Sequence, residues 1–309
     1  TAPGAAPADS GTLGPVIPAD GLTVTVGVGP SLFDHRFGLA GRKPAGLFAM
    51  RSFANDRLIA SQCGGDLMIS ICAGAPDTAL HALRAITRAT RGAMAIRWRV
   101  DGFAAPARPA GVPRNHMGFR DGIANPDIAD PAVARRLLWT GAGRGPRAWT
   151  AGGTYHVIRV IRMVTEAWDD VALDAQERIV GRRRDNGAPL GAHHEDDVPR
   201  YRSDPHGRVI PLHAHIRLAN PRTAASAGSR ILRRSYNYDR GIDGHGELDL
   251  GLIFNCFQRN IRGQFEAVQD RLADEPMARF ISPTGGGYFF TLPGVPDRSA
   301  WLGQSLLNG

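Results

Sequence analysis

The residues best suited to chemistry lie in three short stretches: Asn115-His116-Met117-Gly118-Phe119-Arg120-Asp121-Gly122-Ile123-Ala124-Asn125-Pro126, His215-Ile216-Arg217-Leu218-Ala219-Asn220-Pro221-Arg222 and Arg230-Ile231-Leu232-Arg233-Arg234-Ser235-Tyr236-Asn237-Tyr238. The first holds an acid between two glycines and closes on an Asn-Pro pair. Glycine permits positive φ and close backbone approach, and Asn-Pro ends regular structure, so Asp121 is expected on a tight turn that a flat cofactor can approach. An ordinary surface turn has the same composition. What separates the readings is company: a carboxylate moves protons, and guanidinium groups grip carboxylates at two points or stabilise a departing anion.

The elements that must position these residues show in the hydrophobic pattern. Residues 22–28 and 67–72 read as strands. Leu80, Leu83, Ile86 and Ala89 follow helical spacing across 77–91, with Asp77 as N-cap and Gly92 as stop. Residues 94–100 alternate as a third strand. Strand, strand, helix, strand is most of a ferredoxin-like half. The order recurs after residue 150, with strands over 154–163, 250–257 and 288–292 and helices over 174–180 and 265–272. The expected class is α+β, two ferredoxin-like domains in tandem with antiparallel sheets. A flexible segment over 1–18 precedes a first domain over 19–115, a connection over 116–149 and a second domain over 150–309. Asp121 then falls at a domain junction, where cofactor pockets are common.

Bulk properties narrow the function classes. A chain of 309 residues with 43% hydrophobic and 21% charged residues has ample material for a core, and its 38 Gly and 22 Pro imply many turns and long connections. The net charge of +8 favours acidic partners, but it is scattered. Arg182-Arg183-Arg184 runs straight into Asp185, so a solvated loop is preferred to a nucleic-acid-binding face. His193-His194-Glu195-Asp196-Asp197 has donors suited to a divalent ion, yet consecutive residues rarely converge on one; a solvated acidic loop is preferred, with a transient iron site as the alternative. Cys63, Cys72 and Cys256 form no Cys-x-x-Cys pair, which argues against a zinc site and against covalently attached c-type haem. Cys72 and Cys256 read as small buried hydrophobes. No apolar run is long enough to span a bilayer. The start at Thr1, followed by Ala/Pro/Gly-rich sequence, reads as a processed or truncated end and is compatible with export.

The three stretches, together with Gly285-Gly286-Gly287-Tyr288-Phe289-Phe290, resemble the dye-decolourising peroxidases. Further matching stretches are residues 29–33, 64–67, 149–155 and 246–254. The likeness runs from about Pro18 to the C-terminus and is strongest to the exported bacterial branch that includes deferrochelatase/peroxidase components of iron-uptake systems. It implies a non-covalent haem b in the C-terminal half. His215 then matches the proximal iron ligand, Asp121 the distal acid and Arg233 the distal arginine. Gly118, Phe119, Arg120, Gly122, Ile123 and Phe254 would lie against the cofactor. Arg217, Arg230 and Arg234 are rival propionate partners, Arg230 and Arg234 standing close enough to Arg233 to exchange roles with it. Asp249 is a candidate acceptor for the second nitrogen of His215.

Hydrogen peroxide and an organic reductant, a dye or phenol, are the implied substrates, consumed through compound I. A carboxylic acid shuttles protons best near its own pKa, so the resemblance implies an acidic optimum. It also leaves room for a homo-oligomer and for iron-uptake partners. Tyr236, Tyr238, Tyr288, Trp149 and Trp168 are candidate electron routes to the surface, each against the alternative of core packing. Two other readings stay open, a protein that delivers haem or removes its iron, and a basic binding module without cofactor. Family members carry a strand and helix before the segment matching Leu22 that are absent from this sequence, so its first domain reads as incomplete: the protein was cut, the sequence begins late, or another polypeptide supplies the strand.

Overall fold

The β-branched and aromatic runs form the sheet that carries the reactive residues. The computed structural model describes residues 7–308; part of the expected flexible start lies outside them. Within the described part, Asp9 Oδ2 meets His81 Nε2 at 2.7 Å, tying this segment to the first helix. Strands β1 (Thr23–Val28) and β2 (Leu67–Cys72) and helix α1 (Pro76–Ala89) follow the expected order. Helix α1 begins with Pro76 rather than with Asp77 as cap, since proline's fixed φ suits the first helical position.

After helix α2 (Pro131–Leu137) come β3 (Thr154–Met163), α3 (Thr165–Asp169), α4 (Leu173–Val180) and α5 (His215–Ala219). Strands β4 (Leu232–Arg233), β5 (Tyr236–Ile242) and β6 (Leu248–Gln258) lead into a π-helical turn (Arg262–Glu266) and α6 (Ala267–Arg271). The chain closes with β7 (Ile281–Thr291) and α7 (Gln304–Asn308). The class is α+β with antiparallel pairing in every ladder, as expected, and strands from both halves join one seven-stranded sheet, β2-β1-β7-β3-β6-β4, with β5 also on β6.

The central strand β3 buries apolar side chains on both faces. Tyr155 and Val157 pack with Tyr288 and Phe290, whereas Ile158 and Val160 pack with Phe289 and Tyr238. Alternate residues of a strand point to opposite faces, so two cores sandwich the sheet. Gly285-Gly286-Gly287 has a backbone reason: a Cβ on Gly286 would sit 2.0 Å from the Ile158 carbonyl oxygen. Residues 94–100 differ from expectation. Trp98 and Val100 pack half-buried on the sheet as alternation requires, but Met94 and Ile96 are exposed and the segment forms no ladder. Side chains anchor them instead, Trp98 Nε1 donating to the Gly64 carbonyl at 2.7 Å and Arg97 Nε to the Cys63 carbonyl at 3.0 Å.

On the face of β3 that carries Tyr155 and Val157, the next side chain is Arg159. Its guanidinium pairs with Asp56, the two side chains being 2% and 0% exposed. Removing one member of a buried pair strands the other charge. Asp56→Asn is therefore expected to lower stability by about 3 kcal/mol in denaturant unfolding; an unchanged midpoint would show that the pair is not needed to hold residues 53–57 against the sheet.

Candidate active site

The Gly118 to Gly122 segment is a tight turn closed by its own backbone. Asn115 N–H donates to the Phe119 carbonyl at 2.9 Å and Asp121 N–H to the Pro113 carbonyl at 3.1 Å. Asn115 Oδ1 accepts from Met117 N–H and Phe119 N–H at 3.1 and 3.3 Å. Gly118 and Gly122 have φ of +83° and +108°, where a side chain would be strained. The Asp121 carboxylate is thereby turned toward β4, and Arg233 Nη1 donates to Asp121 Oδ1 at 2.9 Å.

Asn125 fixes the other half of that pair. Its Nδ2 donates to the Arg233 carbonyl and its Oδ1 accepts from the Arg233 N–H, both at 2.9 Å. Arg234 N–H bonds instead to the Asn255 carbonyl on β6. Alternation then directs Arg233 to the cavity and leaves Arg234 exposed and outside the cavity wall. Arg234 is thus excluded as a rival.

His215 opens α5, and Nδ1 lies 2.7 Å from Oε2 of Glu275, a carboxylate only 5% exposed. A carboxylate only accepts, so Nδ1 carries the proton. Nε2 has no hydrogen-bond partner among the described residues. Burial works against the imidazolium, but the Glu275 carboxylate more than offsets it, and the ring is held above its ordinary pKa. His213 is exposed. Glu275 fills the place expected of Asp249, which lies elsewhere and accepts from Tyr238 OH at 3.3 Å.

Asp121, Arg233 and His215 all line one cavity of about 240 Å³. Phe119, Gly122, Ile123, Arg120, Arg230 and Phe254 stand in its wall as expected, with Ile161, Met163, Leu252 and Phe265 extending the apolar surface. Gly118 shapes the turn but is not in the wall. Arg217 is absent too, because it donates to the Asp204 and Ile210 carbonyls at 2.8 Å and stacks on Tyr201.

Six arginines line the cavity (Arg120, Arg159, Arg182, Arg222, Arg230 and Arg233) against two acids, Asp121 and Glu275. Arg182 breaks the reading of its triple-arginine run as wholly solvated. It is buried, donates to the Gly187 and Glu195 carbonyls at 2.6 and 2.9 Å, and is pulled down to about 10 by burial. Arg183 and Asp185 pair at the surface as expected. Glu195, expected in a solvated loop, pairs with Arg120, and no metal-binding cluster occurs among the described residues. The Nε atoms of Arg120 and Arg230 are buried without partners, and Arg222 is held at φ +58°, a backbone region that costs a non-glycine residue about 1 kcal/mol or more.

A free imidazole nitrogen, flat apolar walls and unpartnered guanidinium nitrogens fit a ligand that offers a metal, an apolar macrocycle and carboxylates. That is the profile of a haem oxidoreductase pocket. Residues 1–104 and 112–296 match the models of the N-terminal and C-terminal parts of the Dyp-type peroxidases. The deferrochelatases of Yersinia pestis and Escherichia coli are 48% and 47% identical to it, each over 98% of this chain and over 70% and 72% of those proteins. A DyP-type peroxidase from Cellulomonas bogoriensis superposes with a TM-score of 0.85 at 38% identity, over 93% of this chain and 79% of that one. Ferric DtpA from Streptomyces lividans does so with 0.85 at 35%, over 93% and 78%. The chain belongs to the Dyp-type peroxidase family, and its cofactor is haem b.

Glu275 had no distinguishing signal in the sequence, being one acid beside another in Asp274-Glu275-Pro276. Its bond gives the imidazole partial anionic character, which strengthens a metal bond at Nε2. Glu275→Gln is expected to weaken haem affinity about tenfold and to raise the midpoint potential of the bound iron. Titration of haem into the apoprotein and potentiometry check this, and parental values in both would remove Glu275 from the site.

Proposed function

We propose that Asp121 and Arg233 handle hydrogen peroxide in this cavity and that His215 holds the haem iron through Nε2. When bound, haem would supply the metal and store the two oxidising equivalents of peroxide, which dyes, phenols or other organic reductants discharge by giving up electrons. The observation that carries the reading is the Asp121–Arg233 pair in one wall of the cavity that His215 also lines.

Only Nη1 of Arg233 and Oδ1 of Asp121 are used by their mutual bond. Asp121 Oδ2 is free to take the proton from one peroxide oxygen and return it to the other, which leaves as water. The remaining donors of Arg233 stabilise the negative charge that builds as the oxygen–oxygen bond breaks. The same ion pair prevents the carboxylate from rotating away between the two transfers. Arg230 and Arg222 are the proposed propionate partners, because Arg230 Nε lacks a partner and Arg222 forms no ion pair among the described residues.

A second reading, removal of iron from haem, is favoured by the name deferrochelatase that the near-full-length relatives carry. Release of metal-free porphyrin, read by fluorescence, separates it from peroxidase turnover. Export of the chain, to a periplasm or beyond, rests on the same relatives; no helix among the described residues is long and apolar enough to cross a membrane. A homo-oligomer and iron-uptake partners belong to this proposed setting.

Asp121→Asn keeps the size of the side chain but removes the proton acceptor. It is expected to retain haem and to slow the peroxide-induced change of the Soret band by about a hundredfold in stopped-flow mixing. A parental rate would leave Arg233 as the principal catalyst.

A further inference from the structure

Methionine is unevenly placed in this chain. Three of its six methionines, Met117, Met163 and Met277, line the haem cavity and pack in one apolar cluster with Phe119 and Trp168. Of the others, Met50 and Met68 pack in the two cores of the sheet, and Met94 is 52% exposed. A thioether fills irregular gaps in a core, which accounts for Met68. Unlike the Ile, Leu, Val and Phe residues that make up most of the apolar wall, it is also readily oxidised to a sulfoxide. In a cavity that takes up peroxide that reactivity has a consequence.

Met117 stands in the same turn as Asp121. Its N–H donates to Asn115 Oδ1 at 3.1 Å and its carbonyl accepts from Trp168 Nε1 at 3.0 Å, so its backbone is fixed on both sides and the side chain is held in the wall. Met163 closes β3, and Met277 lies two residues past Glu275. Met117 and Met163 are each 4% exposed. On exposure alone, peroxide in bulk solution reaches Met94 first. Peroxide that reacts inside the cavity reverses that order, because proximity and orientation then outweigh exposure.

We infer that the cavity methionines, Met117 foremost, are sites of self-oxidation, and that the sulfoxide loosens the cofactor when peroxide arrives without a reductant. This rests on the peroxidase reading, which brings peroxide into the cavity. One peroxide oxygen forms a bond to sulfur as the oxygen–oxygen bond breaks, and the thioether gives up two electrons. The proton of that oxygen passes through Asp121 to the other oxygen, which leaves as water. Thioether and hydrogen peroxide thus become sulfoxide and water, with no further reactant. The new oxygen needs a hydrogen-bond donor, and the one side-chain donor of the surrounding cluster, Trp168 Nε1, is already used by the Met117 carbonyl. A polar oxygen left unpaired against an apolar macrocycle is costly, so the cofactor is held less tightly. An organic reductant that discharges the oxidising equivalents first spares the sulfur.

The test exposes the haem-loaded protein to excess peroxide without reductant and follows each methionine by peptide mass spectrometry, as the gain of one oxygen. Sulfoxide at Met117 is expected to form at least about tenfold faster than at Met94, and an added methoxyphenol should suppress it. Asp121→Asn is expected to slow sulfoxide formation at Met117 and not at Met94. Transfer of haem to apomyoglobin, measured before and after peroxide, should become about tenfold faster in the parent. Met117→Leu, which nearly conserves volume, is expected to lose most of that after-to-before ratio. Unmodified Met117 in a parent whose Soret band has responded to peroxide, or oxidation of Met94 first, overturns the inference and leaves the peroxidase reading intact. The parental ratio in Met117→Leu overturns it equally. A parent whose Soret band does not respond to peroxide overturns the peroxidase reading instead.

Discussion

Two hydrogen bonds between the Asn125 amide and the backbone of Arg233 carry the geometry of the reactive site. Strand β4 is two residues long and pairs with β6 only at Leu232 and Arg233, too little to hold a side chain in place. Because Arg234 N–H reaches β6, the N–H and carbonyl of Arg233 point the other way, at an edge with no further strand. Asn125 fills that edge with one donor and one acceptor, acting as a one-residue strand. Leaving either half-buried backbone group unpaired would cost about 1–3 kcal/mol. The bonds also bring the Asp121 turn within one hydrogen-bond length of Arg233, so positioning of the acid and of the cation is a single event.

Charge explains why such a cavity needs its cofactor. Arg159 and Arg120 are neutralised by Asp56 and Glu195, and Arg233 by Asp121. That leaves Arg182, Arg222 and Arg230 without carboxylate partners among the described residues, with Arg182 satisfied only by carbonyl oxygens. Cations in a partly buried, apolar-walled space repel one another with little screening. A dianionic ligand relieves that repulsion and stabilises the folded state by mass action. The haem is therefore a part of the charge balance of the fold as well as its reactive centre.

The tight turn at Asp121 was legible because glycines and an Asn-Pro stop restrict its backbone, whereas His215 and Arg233 were singled out only by the resemblance of their segments. The long strand over 154–163 was legible at both ends because β-branched and aromatic residues recur on both of its faces. Arg234 was not separable from Arg233, because alternation across two residues leaves no pattern to read. Arg182 was hidden in a run whose other members are solvated; burial of one arginine depends on the carbonyls of Gly187 and Glu195, which no local pattern announces. Glu275 lies 60 residues from His215, and nothing between them encodes the contact. Residues 94–100 show the converse, an alternation of which only Trp98 and Val100 pack, half-buried, on the sheet, without a partner strand.

The site uses carboxylates in two unlike ways, and the surroundings of each decide which. Glu275 is 3% exposed in its side chain and faces an N–H donor on a ring whose other nitrogen is free, so it acts through the imidazole and stays out of reach of a peroxide. Asp121 is 18% exposed and faces a guanidinium that is itself 24% exposed, so one of its oxygens remains open to an incoming ligand. Exchanging the partners would fail on both sides. An arginine beside His215 would compete with the metal for electron density, and an imidazole beside Asp121 would replace a permanent cation with a group whose charge depends on pH. The proposed division between holding the iron and moving the proton thus follows from which base each acid meets and how far each is withdrawn from the cavity.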